Sequence, residues 1–254
     1  MSQLILHIPH SSTKIPLKDG YVVNDAVKNS EILKLTDWYT DDLFFSDRDI
    51  MVVADFSRLF CDPERFEDDS QEIMSQYGMG VLYEKTDIGE PLRIVSPELR
   101  KKILTEYYWK HHNKFNEAVK KQLKEFSRAT IIDCHSFPNI PFVRDLNKDP
   151  ARPDFNIGTD PYHTHQKLIA ISTEFFKDNG YSLGINWPYS GSIVPLEYYQ
   201  KNKNVQSIML EINRRLYLKE PSNEKSGDYS KIKRVTKEYV DTIETYLTDL
   251  DEIQ

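Results

Sequence analysis

Only two cysteines occur, Cys61 and Cys134, and they are neither in a Cys-x-x-Cys pair nor near one another. That sparsity excludes a disulfide framework and a thiolate metal site, and it fits a reducing cytoplasm, the expected compartment. The first residues carry no basic leader, and their apolar run is too short for a signal peptide. No apolar span reaches the roughly 18 residues of a membrane-crossing helix, so no membrane partner is expected. No basic block interrupts a chain of net charge −7, which excludes a nucleic-acid footprint from the expectations. Arginines gathered in a pocket would run against that trend and imply an anionic ligand. Linkers, internal repeats and low-complexity tracts are also absent, so residues 1–254 are read as a single domain of unknown oligomeric state.

What is present is ample material for a core: 39% hydrophobic residues, with 15 Tyr and 12 Phe. The central stretch is Ala129-Thr-Ile-Ile-Asp-Cys-His135-Ser-Phe-Pro138, an apolar run that ends in two ionisable residues. It reads as a buried strand, and open α/β sheets place their sites just beyond the carboxyl ends of such strands. Alternation puts Asp133 and His135 on one face, so the carboxylate is expected to orient the imidazole.

Further strands are expected at Leu4–Ile8, Ile50–Ala54, Tyr181–Ile185 and from Val205 through Glu211, with a minor one at Val81–Tyr83. Helical spacing predicts helices from about Ser30 to Ser46, from Ser96 (N-cap, then Pro97) to Phe126, from His163 to Phe176 and from Tyr229 to Leu250. On the first of these, Asp37 and Asp41 are four apart and would share a face. Residues 136–162 hold five prolines and little periodicity, and with 186–195 they are expected as site-lining loops. Strands alternating with helices imply a three-layer α/β/α fold with a mostly parallel sheet. Right-handed crossovers then bring His10, Arg58, His135 and Glu211 to one sheet edge.

Two neutral imidazoles and one carboxylate leave a fourth position for water, a standard arrangement for catalytic zinc, and His10, His135 and a helix carboxylate are able to supply it. The competing reading is a pair of satisfied core histidines and a solvated acidic stripe. His111 and His112, on the long helix, read as core or surface residues.

Five motifs occur in order: Pro9-His10-Ser11, Ser57-Arg58-Leu-Phe-Cys-Asp62-Pro-Glu-Arg65, Asp133-Cys-His135-Ser136, Asn186-Trp-Pro-Tyr-Ser-Gly191 and Glu211-Ile-Asn-Arg214-Arg-Leu-Tyr217. With these the chain resembles the N-formylglutamate amidohydrolase family, itself related to zinc-dependent exopeptidases and aspartoacylase-like deacylases. The resemblance implies a mixed, mostly parallel sheet of about eight strands between helices, one zinc ion, and hydrolysis of N-formylglutamate, or of a similar small anionic N-acyl amino acid. It implies His10, Asp37 and His135 as metal ligands, with Asp41 competing for the third place. Glu211 resembles the general base, Arg58 the group that polarises the scissile carbonyl, and Arg65 the grip on a substrate carboxylate. Asn186, Tyr189 and Gly191 resemble substrate-binding positions. Glu64 stands where the family usually has Asn, and Ser192 where a second Gly is common. Rival readings are a zinc carboxypeptidase or peptidoglycan-type amidase of the same fold, and a metal-free binder of an anionic metabolite.

Overall fold

The computed structural model describes residues 3–252, with side chains through residue 248. Its centre is β3 (Ala129–Phe137), buried at all nine positions, so the apolar run expected to be a covered strand is one. Around it lie β1 (Ile5–Ile8), β2 (Ile50–Val53) and β6 (Val205–Asn213), in a sheet of order β2-β1-β3-β6-β4-β5. The first four pair in parallel, which places the ends carrying His10, Arg58, His135 and Glu211 on one edge. The strands β4 (Phe155–Gly158) and β5 (Leu183–Ile185) are parallel to each other, and β4 runs antiparallel to β6.

Pleat alternation divides the core in two. Leu6, Ile132 and Ile208 face α5 (Gln166–Asp178) and α6 (Tyr229–Glu252), where Phe176, Ile232 and Tyr239 join them. Ile5, Ile131 and Val205 face α4 (Trp109–Phe126) through Phe115 and Val119. The result is three layers, as expected. α4 continues α3 (Pro97–Ile103) through one wider helical turn at Leu104–Tyr108, so the long helix from 96 to 126 is also present. Ser96 caps it by accepting the amide of Leu99 (3.2 Å).

Four expectations need correction. The sheet has six strands among the described residues, fewer than the eight implied by resemblance. One of the six, β4, lies inside the proline-rich stretch read as structureless, because it pairs only with distant β5 and β6. The helix expected over 30–46 is two: α1 (Asp25–Leu35) and the single turn α2 (Thr40–Leu43). Thr36 turns extended, Tyr39 is left-handed at φ 64°, and the Asp37 amide donates to the His10 carbonyl (3.0 Å). Asp37 and Asp41 therefore share no helix face. At Val81–Tyr83 there is no ladder, only an isolated bridge of Tyr83 with Met79. No helix among the described residues is long and apolar enough to cross a membrane.

Ile208, fully buried in β6, has sheet on both sides, so Ile208→Ala is expected to cost about 2–5 kcal/mol. Ile94→Ala, at a residue 69% exposed, is expected to stay within about 0.5 kcal/mol of wild type. Urea denaturation of both variants checks the pair.

Candidate active site

At the carboxyl edge of the sheet, His10 arrives from the turn after β1, Asp37 from the break between α1 and α2, and His135 from the end of β3. All three are buried. His135 Nδ1 stands 3.1 Å from Asp37 Oδ2 and 3.3 Å from His10 Nδ1, and His10 Nδ1 stands 3.6 Å from the same Asp37 oxygen. Carboxylates only accept, and they face both nitrogens of each ring, so one Nδ1 carries a proton toward Asp37 unless a cation takes its place; with a cation there, both rings keep their protons on Nε2. His10 donates Nε2–H to Asp62 Oδ1 (2.8 Å), and His135 directs Nε2–H at Asp133 Oδ1 and Glu64 Oε1, both 3.1 Å away. Two imidazole lone pairs and one carboxylate oxygen then face a common point.

Those lone pairs repel unless a cation or a proton lies between them. Burial opposes charge on both rings, and Arg58 adds to that at His10, yet the carboxylates outweigh them. Asp62 and Asp37 raise the pKa of His10, and Glu64, Asp133 and Asp37 raise that of His135. A divalent metal would serve in place of the proton. Ligands at about 2.0–2.1 Å on a tetrahedral zinc stand about 3.3 Å apart, close to the edges of this triangle, so the donor set fits zinc in size and kind. Asp41 is exposed and stands outside the cluster.

Glu211 lies opposite His135 in the β3–β6 register and is buried. Its Oε2 has no hydrogen-bond partner among the described residues. Burial lifts its pKa to about 8, with the Asp37 charge adding to the rise and His135 opposing it. A buried carboxylate oxygen without a donor is costly and is a mark of function.

Of the expected arginines, Arg58 donates to Asp62 Oδ2 from NH2 (3.0 Å) and faces the same cavity as the donor triangle. Arg65 lies 3.7 Å from Asp62 and 3.6 Å from Glu72, too far for hydrogen bonds, and its buried Nε has no acceptor. Arg214 serves Asp37, donating to Oδ1 at 2.8 Å. The expected loop residues divide. Tyr189 lines the cavity, but its hydroxyl already donates to Asp145 (3.0 Å) and accepts from Arg152 (3.2 Å). Asn186 lines neither site cavity and holds the loop closed: its Oδ1 accepts from Thr159 N (2.8 Å) and Gly191 N (3.4 Å). Gly191 borders a second cavity, and its φ of 91° is a conformation glycine tolerates.

Sequence reasoning assigned no role to Asp62, His7 or Arg214. Asp62 is fully buried and also accepts from Tyr83 Oη (2.8 Å) and the Glu64 amide (3.1 Å). His7 donates Nδ1–H to Asp133 Oδ1 (2.9 Å), which leaves its Nε2 to accept from His111 Nε2 at 2.9 Å. His112 donates to the Pro63 carbonyl (2.8 Å). The available signal was polarity out of place: a carboxylate after Leu59-Phe-Cys, and a histidine inside the apolar β1.

The cavity at the donor triangle measures about 520 Å³. Phe142 to Asn147 and Pro188 to Ser190 supply much of its wall, so both expected loops do border the site.

The family model described as N-formylglutamate amidohydrolase matches residues 2–218. The N-formylglutamate deformylase of Pseudomonas putida is 26% identical over 233 residues, covering 85% of this chain and 82% of its relative. The protein of the same name from Pseudomonas aeruginosa is 26% identical over 228 residues, with the same shares covered. Among solved structures, N-formylglutamate amidohydrolase from Ralstonia eutropha JMP134 superposes with a TM-score of 0.83 at 23% identity, over 97% of this chain and 94% of that one. A gene product of Agrobacterium tumefaciens does so with a TM-score of 0.66 at 16% identity, over 98% and 92%.

Asp62→Ala would leave buried His10 and Arg58 without their shared acceptor. An expected loss of about 3–5 kcal/mol in metal-free protein follows, against less than about 1 kcal/mol for Asp42→Ala, whose ion pairs are half exposed. Chemical denaturation in the presence of a chelator measures both.

Proposed function

The chain belongs to the N-formylglutamate amidohydrolase family and is a hydrolase acting on an amide, and from that premise we propose a zinc-dependent enzyme that removes a formyl or other short acyl group from an amino-acid nitrogen. The observation that carries the proposal is the partnerless buried Glu211 Oε2 beside the His10, Asp37 and His135 triangle. N-formylglutamate, named in the relatives, is the reference substrate.

His10, Asp37 and His135 would hold the metal, which supplies Lewis acidity and lowers the pKa of water at the site. Glu211 takes a proton from the attacking water and returns it to the amide nitrogen as the C–N bond breaks, yielding the carboxylic acid and the free amine. Burial raises its pKa in the metal-free protein, and a cation held by the neighbouring triangle would favour the carboxylate form that the base needs. Arg58, held in place by Asp62, donates to the carbonyl oxygen as negative charge gathers there. Arg65, which lines the same cavity, takes the α-carboxylate. The cavity's size, about 520 Å³ with Phe142, Leu146 and Tyr189 in its wall, suits a small N-acyl amino acid.

Replacement of His10 or His135 by Ala is expected to abolish retention of zinc through dialysis, read by elemental analysis. Asp37→Ala should behave alike and Asp41→Ala should retain the metal; equal metal in all variants and wild type sinks the assignment. Separately, Glu211→Gln keeps the shape and removes the base. It is expected to hold zinc as wild type does while kcat falls by about 10² to 10⁴, and full turnover in that variant would eliminate Glu211 as the base.

A further inference from the structure

Beside the catalytic cavity lies a second one of about 410 Å³, and the two share Glu64, Arg65, Ile73, Ser190 and Met209 in their walls. Arg65 therefore stands at the junction. An amino-acid Cα carries the acylated nitrogen, the carboxylate and the side chain on one atom. With the amide at the donor triangle and the carboxylate on Arg65, the third substituent has two spaces beside it, the rest of the first cavity, where Arg144 lies, and the second cavity across the junction.

That cavity is built for an uncharged group. Its wall is formed largely by Phe66, Ile73, Val194, Leu196, Tyr199 and Met209. Its acidic members are Glu64, Glu72 and Asp133, and among the described residues its one basic side chain apart from His112 is Arg65, which the α-carboxylate already occupies. His112 adds no charge: burial lowers its pKa to about 4, and its Nε2–H is given to the Pro63 carbonyl. A side-chain carboxylate placed here would lose water, meet three anions and find no cation.

We propose that the second cavity is the side-chain pocket, and that this chain acts on N-formyl or short N-acyl amino acids with apolar or aromatic side chains in preference to acidic ones. The proposal rests on the reading of the first cavity as the site of amide hydrolysis.

The test is kcat/KM of the zinc-loaded protein for N-formyl-L-leucine, N-formyl-L-phenylalanine and N-formyl-L-glutamate, in wild type and in Leu196→Arg. Leu196 is 43% exposed, so an arginine there adds a cation to the pocket wall without entering the core. Wild type is expected to favour leucine or phenylalanine over glutamate by about tenfold or more, the scale on which apolar pockets discriminate. Leu196→Arg is expected to narrow or reverse that ratio. A wild type that prefers glutamate overturns the proposal, and loss of that preference in Arg144→Ala would place the side chain in the first cavity. A ratio unchanged by Leu196→Arg overturns it as well. Calorimetric binding of the same three compounds to zinc-loaded Glu211→Gln reads the preference without turnover. Failure of all hydrolysis thus counts against the first cavity's reading, while the pocket stands or falls on the affinities.

Discussion

The site depends on keeping one carboxylate, that of Asp62, wholly out of water. Burying such a charge costs several kcal/mol unless donors replace the lost hydration. Here four do so: His10 Nε2 and Tyr83 Oη at 2.8 Å, Arg58 at 3.0 Å and the Glu64 amide at 3.1 Å. Each bond has a consequence beyond stability. The first fixes the His10 proton on Nε2 and turns the Nδ1 lone pair toward Asp37 and His135. The third aims Arg58, and the fourth shapes the turn that presents Glu64 and Arg65. The connection following β2 thus becomes rigid enough for chemistry although it contains no regular element between Val53 and Ile73.

A second polar system lies between β3 and α4. His111 donates to His7, and His7 and His135 both donate to Asp133, whose other oxygen accepts the Ile193 amide at 3.2 Å. His7 stacks on Phe115 with ring centroids 4.5 Å apart, so the chain of polar groups is packed as tightly as the apolar core beside it. Satisfied networks of this sort hold one arrangement, because any rotation strands a buried donor. Glu211, one strand away, is the contrast: its surroundings supply hydrogen-bond partners for neighbouring side chains and leave Oε2 without one.

The strands and the ionisable residues at their ends were legible in the sequence because the information was local. An apolar run ending in Asp-Cys-His, or in Leu-Glu, marks both a covered strand and the end where its ionisable residues gather. Asp37 was legible as a residue and illegible as a geometry: periodicity continues past it, but its amide is taken by the His10 carbonyl, and that contact ends the helix. The same holds for Asp62, whose bond to His10 spans 52 positions, and for Asp133, whose bond to His7 spans 126. The four residues of β4 carry too little alternation to be seen among prolines, and their partners lie 25 or more positions on.

Glu64 ties these threads together. An asparagine, which the family resemblance leads one to expect at this position, would offer two N–H donors toward a bound anion; a carboxylate offers none. In this chain the Glu64 Oε1 accepts from His135 Nε2 at 3.1 Å, so the side chain is turned to the imidazole. The recognition of substrate charge then falls on the arginines alone. Arg58 is committed to Asp62 and Arg214 to Asp37, each by a bond of 3.0 Å or less. Arg65 lines both cavities and stands 3.7 Å from Asp62 and 3.6 Å from Glu72, beyond hydrogen-bond reach of either. Arg65 beside an added carboxylate, with Arg144 as the remaining arginine in the first cavity's wall, leaves few cations for a substrate's negative charges. On the proposed function, a carboxylate at position 64 bears on which side chains the substrate carries rather than on the amide chemistry assigned to His10, Asp37, His135 and Glu211.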